Sequence, residues 1–205
     1  GGWVDVFGRG EWHGLAEEVC YRAGGLAGVV PMLHPRLMLH ESASTSTQAE
    51  RDPDVVGELL KQYPMTGGDV LVVASNSGRN ACPIELAMLA KERSVRTIAV
   101  LNSEHSVKWA SRHPSGKRLG DVVDLVIDNC GVEGDACIPL PGSGLFVGAT
   151  STVTGCLIMQ MIACRATEML NASGRQPELY QSSNANHDER NAALIAEHKQ
   201  TNPHL

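Results

Sequence analysis

Short apolar runs alternate along this chain with stretches in which apolar residues recur at helical spacing. The apolar runs predict strands at residues 3–7, 28–33, 70–74, 95–101 and 122–127. The helical spacing predicts helices over residues 15–23, 52–63, 83–93 and 150–170. Strands that alternate with helices in this way predict βαβ crossovers, and therefore an α/β fold with a parallel sheet covered on both faces.

The last third of the chain has a different pattern. Residues 131–148 are too rich in Gly and Pro to form a helix, and after residue 171 the composition becomes polar. Only residues 191–198 of that polar stretch return to helical spacing. We therefore expect one domain over residues 1–170, followed by a polar arm with a helix over residues 171–205.

Composition narrows the class of protein. Only 4% of the 205 residues are aromatic while 21 are glycine, which is typical of a small-residue core with glycine-rich βα loops. The net charge of -6 gives no general basic field for nucleic acid or for an anionic membrane. No apolar run reaches the length of about 18 residues that a membrane helix needs, so we expect no membrane segment. Six cysteines without metal-finger spacing indicate reduced thiols and a cytoplasmic protein.

Donor-rich loops follow three of the predicted strands. They are Gly8-Arg9-Gly10, residues 75–80 and residues 102–106. In an open parallel sheet the ligand crevice lies beyond the carboxyl ends of the strands, and free N–H groups at a helix N-terminus bind oxyanions. The alternative is that Ser, Asn and Gly occupy any tight loop. The loops lack both a Walker lysine and a full dinucleotide fingerprint, so we expect no nucleotide and no cofactor.

The sequence Ser75-Asn76-Ser77-Gly78 at the end of a buried strand, together with the first Gly-x-Gly turn, resembles the sugar isomerase (SIS) phosphosugar-binding domains. A phosphosugar-binding branch of that family is similar over nearly the whole chain, through residues 16–26, 112–119, 127–129, 134–136 and 151–155. The resemblance implies a flavodoxin-like, doubly wound, five-stranded parallel sheet, a homodimer or homotetramer, and a sugar phosphate as partner. It also implies that this chain lacks the helix that precedes the first strand in such domains.

By motif position, the resemblance assigns the phosphate to two groups of residues. The turns and the main loop supply Gly8, Gly10, Ser75, Asn76, Ser77, Gly78 and Asn80, and the cage is completed by Ser103, Thr150, Ser151 and Thr152. The first turn departs from the family pattern at Glu11 and Trp12, where that branch carries a small or hydroxyl residue and a His-Ser pair. We expect these two residues to alter the site.

The candidate acid–base groups are two glutamates and a histidine. Glu17 and Glu18 lie on opposite flanks of the apolar stripe of their helix, so periodicity does not choose between them. Similarity to sedoheptulose 7-phosphate isomerases favours Glu18 with Arg22, and the alternative is an ordinary surface ion pair. Among the histidines that could titrate near neutrality we rank His105 first, because it follows a strand; the others are His13, His34, His40, His113 and His187.

The activity implied by these residues is an aldose–ketose isomerisation of a sugar phosphate through an enediol, with a carboxylate moving the proton. Two alternatives stay open. One is a lyase resembling N-acetylmuramic acid 6-phosphate etherases, and the other is a non-catalytic phosphosugar sensor. No helix presents histidines and carboxylates at metal-binding spacing, so we expect no metal.

Overall fold

A five-stranded parallel sheet forms the centre of the computed structural model, which describes residues 2–186 and 188–205. Its strand order is β2-β1-β3-β4-β5. The strands are β1 (Val4–Gly8), β2 (Val29–Met32), β3 (Val70–Ala74), β4 (Arg96–Leu101) and β5 (Leu125–Asp128). This is the order of the flavodoxin-like doubly wound fold, so the predicted fold class is confirmed.

Helices and one small hairpin surround this sheet. The helices are α1 (His13–Glu18), α2 (Ala43–Ala49), α3 (Val55–Gln62), α4 (Ala81–Glu92), α5 (Ser103–Lys108), α6 (Leu119–Val122), α7 (Ser151–Ala172) and α8 (Asp188–His198). The Gly- and Pro-rich stretch that excludes a helix forms an antiparallel pair, β6 (Ala136–Pro139) and β7 (Phe146–Ala149).

Two apolar layers cover the two faces of the sheet. Along β3, Leu71 and Val73 belong to the layer under α3 and α4, whereas Val72 and Ala74 belong to the layer under α1 and α7. Successive side chains of a strand point to opposite faces, so a strand buried on both faces must be apolar throughout. This explains why the run at residues 70–74 predicts its strand correctly.

Several predicted boundaries differ from the structure. The helix expected over residues 15–23 ends at Glu18, and the chain then folds back so closely that a Cβ on Gly25 would lie 2.2 Å from the carbonyl oxygen of Cys20. The strand expected from residue 122 begins at Leu125, because Val122 is the last residue of α6. Helices α2, α5 and α6 have seven, six and four residues. Such lengths are too short for a helical period to be read from the sequence.

Helix α7 is found where the sequence predicts a helix over residues 150–170. It packs on α1 through Gly155, where a Cβ would lie 2.6 Å from Leu15 Cδ2, and through the buried Met159. Among the described residues it is the one helix long and apolar enough to cross a membrane by length and composition. We expected no such segment, because no uninterrupted apolar run in the sequence reaches that length. A single helix that passes this test is weak evidence for a membrane span.

The polar arm packs along the edge strand β2. Leu179 pairs with Leu26 in an isolated β-bridge, and Tyr180 is buried. Near the end of the chain, Asn202 donates a hydrogen bond to the carbonyl oxygen of Val29 at 3.2 Å. The arm therefore covers backbone groups at the exposed edge of the sheet.

Candidate functional site

A small cavity of about 100 Å³ lies at the carboxyl ends of β1 and β3. It brings together side chains from loops that are far apart in sequence, and it is lined by Arg9, Glu11, Trp12, Glu50, Ala74, Ser75, Asn76, Ser77 and His105. The predicted residues Ser75, Asn76, Ser77 and His105 are therefore neighbours. The cavity is smaller than those that enclose a whole small-molecule ligand, so it suits one anchoring group.

The main loop is shaped by the glycine at its tip. Gly78 has a φ of +55°, and a Cβ there would lie 3.0 Å from Ser106 Oγ. Its N–H donates to the carbonyl oxygen of Ser75 at 3.1 Å, and its own carbonyl oxygen accepts from Leu119 at 2.8 Å. Helix α4 begins directly after this loop, so the positive end of a 12-residue helix dipole lies beside the cavity.

The first turn is equally constrained. A Cβ on Gly8 would lie 2.1 Å from the carbonyl oxygen of Trp12, so any larger residue would collide with the backbone. Gly10 has a φ of +59° and starts the 3-10 turn Gly10–Trp12. Both glycines therefore shape the tight turn that directs Arg9, Glu11 and Trp12 to the cavity, and neither lines it. Their role in binding phosphate stays a prediction.

The charged side chains that line this cavity are Arg9, Glu11 and Glu50, and a second arginine, Arg112, lies beside the main loop. Arg9 forms an ion pair of 2.6 Å with Glu50, a residue that is only 3% exposed. Arg112 donates to Asn80 Oδ1 at 2.7 Å. Burial, followed by the neighbouring charge of Arg79, lowers the pKa of Arg112. Guanidinium groups held this close together favour an anion between them.

Glu50 is the residue of this cluster that no sequence pattern indicates, whereas Arg112 belongs to a segment that the sequence already marks. Glu50 follows α2, a helix too short to be predicted, and no local motif indicates its place in the cavity. Arg112 lies in the basic segment 112–118, which is a signal for anion binding but also typical of a solvated loop. His113 of the same segment is buried between Glu85, at 2.8 Å, and Ser115, at 2.7 Å, and so holds the loop in place.

Two buried polar atoms near the cavity have no partner among the described residues. They are His105 Nδ1 and Asn102 Nδ2. The backbone N–H of His105 donates to Asn102 Oδ1 at 2.8 Å, which fixes the two residues relative to each other. Buried polar atoms are normally hydrogen-bonded, so these two leave capacity for a ligand or for water.

The remaining members of the predicted phosphate cage do not line the cavity. The backbone N–H of Ser103 donates to Asp128 Oδ1 at 3.2 Å. Thr150 and Ser151 donate their N–H groups to Asp135 Oδ1 at 2.9 and 2.7 Å. Burial alone would raise the pKa of Asp135, but these hydrogen bonds bring it below the usual value. They join the start of α7 to the hairpin, and neither Ser103 nor Thr150, Ser151 or Thr152 reaches the cavity.

The predicted glutamates lie apart from the cavity. The Glu18 carboxylate accepts hydrogen bonds from the Arg22 guanidinium and from Gln160 Nε2, the latter at 3.0 Å. Glu17 forms a longer pair with His13, at 3.5 Å. Glu18 is six residues beyond Trp12, which places it about 9 Å further along the helix axis. Sequence reasoning paired Glu18 with Arg22 but missed Gln160, which comes from the distant helix α7.

One group of side chains could hold a metal ion. Ligand atoms of Glu178, Glu197 and His198 lie within 4.8 Å of one another among the described residues, and the two glutamates are exposed. His198 Nε2 and Glu178 Oε2 are 2.8 Å apart. The absence of a required metal stays a prediction. The candidate His187 lies outside the described residues.

Comparison with known proteins identifies the family. A family model for the SIS domain matches residues 1–102. A UPF0309 protein of Listeria innocua is 42% identical over 205 residues, which is 100% of this chain and 83% of the relative. The chain belongs to the UPF0309 family. Another UPF0309 protein, from Halalkalibacterium halodurans, is 41% identical over 184 residues, covering 90% of this chain and 76% of the relative. The resemblance to SIS domains is therefore confirmed.

Two solved structures are similar to this UPF0309 chain at lower levels. Phosphoheptose isomerase GmhA from Neisseria gonorrhoeae is 20% identical, with a TM-score of 0.47, and the match covers 82% of this chain and 77% of that one. The Vibrio vulnificus NanR protein, solved with ManNAc-6P, is 14% identical, with a TM-score of 0.43, and the match covers 99% and 56% of the two chains.

Proposed function

We propose that this UPF0309 protein binds a sugar phosphate at the carboxyl edge of its sheet, with the phosphate in the cavity formed by Ser75, Asn76 and Ser77. The observation that carries the proposal is the convergence of hydroxyl and amide donors with Arg9 at one helix N-terminus. A dianionic phosphate accepts several hydrogen bonds and is stabilised by the helix dipole. The cavity holds this group alone, so the sugar extends beyond it.

We propose further that the reaction is an aldose–ketose isomerisation. Glu18 removes a proton from the hydroxyl-bearing carbon next to the carbonyl while the carbonyl oxygen takes up a proton, which gives an enediol; the same carboxyl then protonates the former carbonyl carbon as the other oxygen gives up its proton. The offset of about 9 Å between Trp12 and Glu18 suits a substrate bound by its phosphate at one end and reacting at the other. Hydrogen bonds from Arg22 and Gln160 orient the Glu18 carboxylate. His105, which lines the phosphate cavity, is the second candidate for proton transfer.

A thermal-shift screen tests the binding step. Hexose, heptose and N-acetylhexosamine phosphates are compared with free phosphate and with the unphosphorylated sugars. A ligand of the folded state at a hundredfold excess over its Kd adds about 2.7 kcal/mol of stability. We expect one sugar phosphate to raise Tm more than free phosphate does. A screen without any shift would contradict the proposed site.

Turnover assays test the reaction. We expect Glu18→Gln to keep the thermal shift and to abolish aldose–ketose conversion, while the matched surface variant Glu168→Gln, which breaks an exposed pair with Arg165, keeps both. Release of lactate from N-acetylmuramic acid 6-phosphate would identify a lyase instead. Binding without turnover of any substrate, together with a stable protein partner, would identify a sensor.

The same proposal includes a cytoplasmic homodimer formed through α7. Val153, Leu157 and Met161 recur every four residues on one side of this helix and are 72%, 60% and 63% exposed. No charged residue occurs in α7 before Arg165. An uncharged apolar stripe of this kind matches a second copy of itself across a two-fold axis. All six cysteines are unpaired, in keeping with a reducing compartment.

Light scattering of the purified chain tests the dimer. We expect the mass of two chains for the wild type and of one chain for Leu157→Lys, with Glu168→Gln as the control that stays dimeric. A wild-type monomer would contradict this part of the proposal.

A further inference from the structure

A second and larger cavity, of about 420 Å³, lies at the opposite edge of the sheet. Its walls come from the start of β1, from residues 61–66 between α3 and β3, and from residues 200–203 near the end of the chain. None of these segments contributes to the cavity beside Ser75. Its size is within the range of cavities that bind small molecules.

The cavity is lined by a buried carboxyl group that lacks a partner. Asp5 is 5% exposed, and no described residue donates a hydrogen bond to its side chain. Asp69, beside it, is different: its carboxylate accepts from the N–H of Trp3 at 2.8 Å and from the N–H and hydroxyl of Thr66 at 2.8 and 3.1 Å. The Asp5 oxygens therefore keep hydrogen-bonding capacity that is available to a ligand in the cavity.

The groups around Asp5 favour a positively charged ligand. Helix α3 ends at Gln62, so the negative end of its dipole lies at this cavity. The Asp69 carboxylate adds negative charge. Among the residues that line the cavity, the positively charged one is Lys61, which is exposed. Burial, followed by the charge of Asp69, raises the pKa of Asp5 to about 7. A cation bound beside Asp5 would favour its ionised form.

We propose that this cavity binds a small primary amine in its ammonium form, which donates hydrogen bonds to the Asp5 carboxylate. The other walls suit a short alkyl chain, because they include the apolar side chains of Val30, Pro64, Met65 and Pro203. A divalent metal fits less well, since the Asp69 oxygens already accept three hydrogen bonds. An anion is excluded by two neighbouring carboxyl groups.

The proposal implies that binding depends on pH. At pH 6 the amine must displace a proton from Asp5, whereas at pH 8 Asp5 is already ionised. The other titratable groups around the cavity are Asp69, Lys61, Tyr63 and His204, with Tyr63 and His204 joined by a hydrogen bond of 2.7 Å. Burial lowers the pKa of His204, which disfavours its charged form beside a bound cation. Comparing wild type with Asp5→Asn therefore isolates the effect of Asp5 on the pH dependence of amine binding.

Titration calorimetry of the full chain with n-butylammonium tests the proposal, with 1-pentanol and pentanoate as neutral and anionic probes of similar size. We expect butylammonium to bind about tenfold more tightly at pH 8 than at pH 6, and to release close to one proton at pH 6. Asp5→Asn should weaken binding at pH 8 at least tenfold. Asp124→Asn, at a distant carboxylate paired with Lys91, should leave it unchanged.

A second variant does not depend on altering Asp5. Gln200→Arg introduces a cation at an exposed position in the lining, and we expect it to block butylammonium while the protein stays folded. The proposal would be overturned if the wild type bound no butylammonium, if Asp5→Asn bound it equally well, or if 1-pentanol bound as tightly.

Discussion

The two edges of one sheet carry opposite electrostatics in this protein. At the carboxyl edge, Arg9 lines a small cavity of hydroxyl and amide donors together with Glu11 and Glu50, and Arg112 lies close enough to Arg79, Arg51 and Arg9 to be affected by their charges. At the amino edge, Asp5 and Asp69 lie in a larger cavity, and the pKa of Asp5 is raised to about 7. In a parallel α/β fold, helix N-termini face the first edge and C-termini face the second. Side chains here reinforce the polarity that the backbone already has.

The comparison also shows two ways to hold a buried charge. Glu50 pairs with Arg9 at 2.6 Å, whereas the Asp5 side chain accepts no hydrogen bond from the described residues and burial raises its pKa to about 7. A paired charge is costly to break, whereas an unpaired carboxyl changes its protonation instead. The predictions that follow separate these two cases.

The largest effect is expected at the carboxyl edge. Arg9→Met leaves the buried Glu50 without its partner and should lower the free energy of unfolding by about 3–5 kcal/mol, measured by urea denaturation. The double variant Arg9→Met with Glu50→Met should recover most of this loss, yet give no thermal shift with sugar phosphates. Arg36→Met, at an exposed pair with Asp52, is the control. Full sugar phosphate binding by the double variant would show that Arg9 is not part of the site.

The second prediction concerns Asp5 at the amino edge, which should make the stability of the protein depend on pH. Folded Asp5 binds its proton up to about pH 7, whereas the unfolded carboxyl loses it near pH 4, so wild-type stability falls as pH rises between these values. Asp5→Asn removes this slope and should gain on the order of 4 kcal/mol relative to wild type between pH 4 and pH 8.

A matched carboxylate should show the opposite sign. The pKa of Asp124 is lowered to about 2, chiefly by a hydrogen bond from the Thr97 backbone. Its stabilisation is present above pH 4 and is lost as the pH falls towards 2. Asp124→Asn should therefore cost stability at pH 8 but not at pH 2. Equal pH slopes for wild type and Asp5→Asn would contradict the assignment of the amino edge.

A smaller effect is expected at the tip of the phosphate loop. Gly78→Ala places a Cβ at a φ of +55° and 3.0 Å from Ser106 Oγ, and should cost about 1–2 kcal/mol and weaken sugar phosphate binding. Gly14→Ala is the control, because no atom lies within 4 Å of its Cβ and it is helical. This control should be neutral or stabilising by about 0.5 kcal/mol. Unchanged binding in Gly78→Ala would argue against this loop as the anchor.

The smallest change in stability is expected at the ion pair between Arg22 and Glu18, and it tests whether this pair is separate from the cavity beside Ser75. Arg22→Met should cost about 0.5 kcal/mol, because its pair with Glu18 is partly exposed. The thermal shift with sugar phosphates should stay intact while turnover falls. Loss of the thermal shift would mean that the two groups form one binding site. Arg165→Met, at another exposed pair, is the control for both measurements.

Local sequence patterns were sufficient for much of the fold. Residues 70–74 are apolar at every position because both faces of β3 are buried, and this pattern is visible without tertiary structure. The Gly-rich turns after β1 and β3 follow from steric demands that only Gly8 and Gly78 meet. For the same reason, the family resemblance could be found from the motifs around those turns.

Only the tertiary structure shows which charged and polar side chains contact each other. Glu50 and Arg9 are 41 positions apart in the chain, and Gln160 reaches Glu18 across 142 positions. Asp5 belongs to a strand pattern that gives no sign of the cavity closed by residues 200–203. Periodicity reports which face of an element is buried, because it depends on neighbours within a few residues. Which charge lies beside which is set by how the elements pack, and a sequence pattern carries no record of those distances.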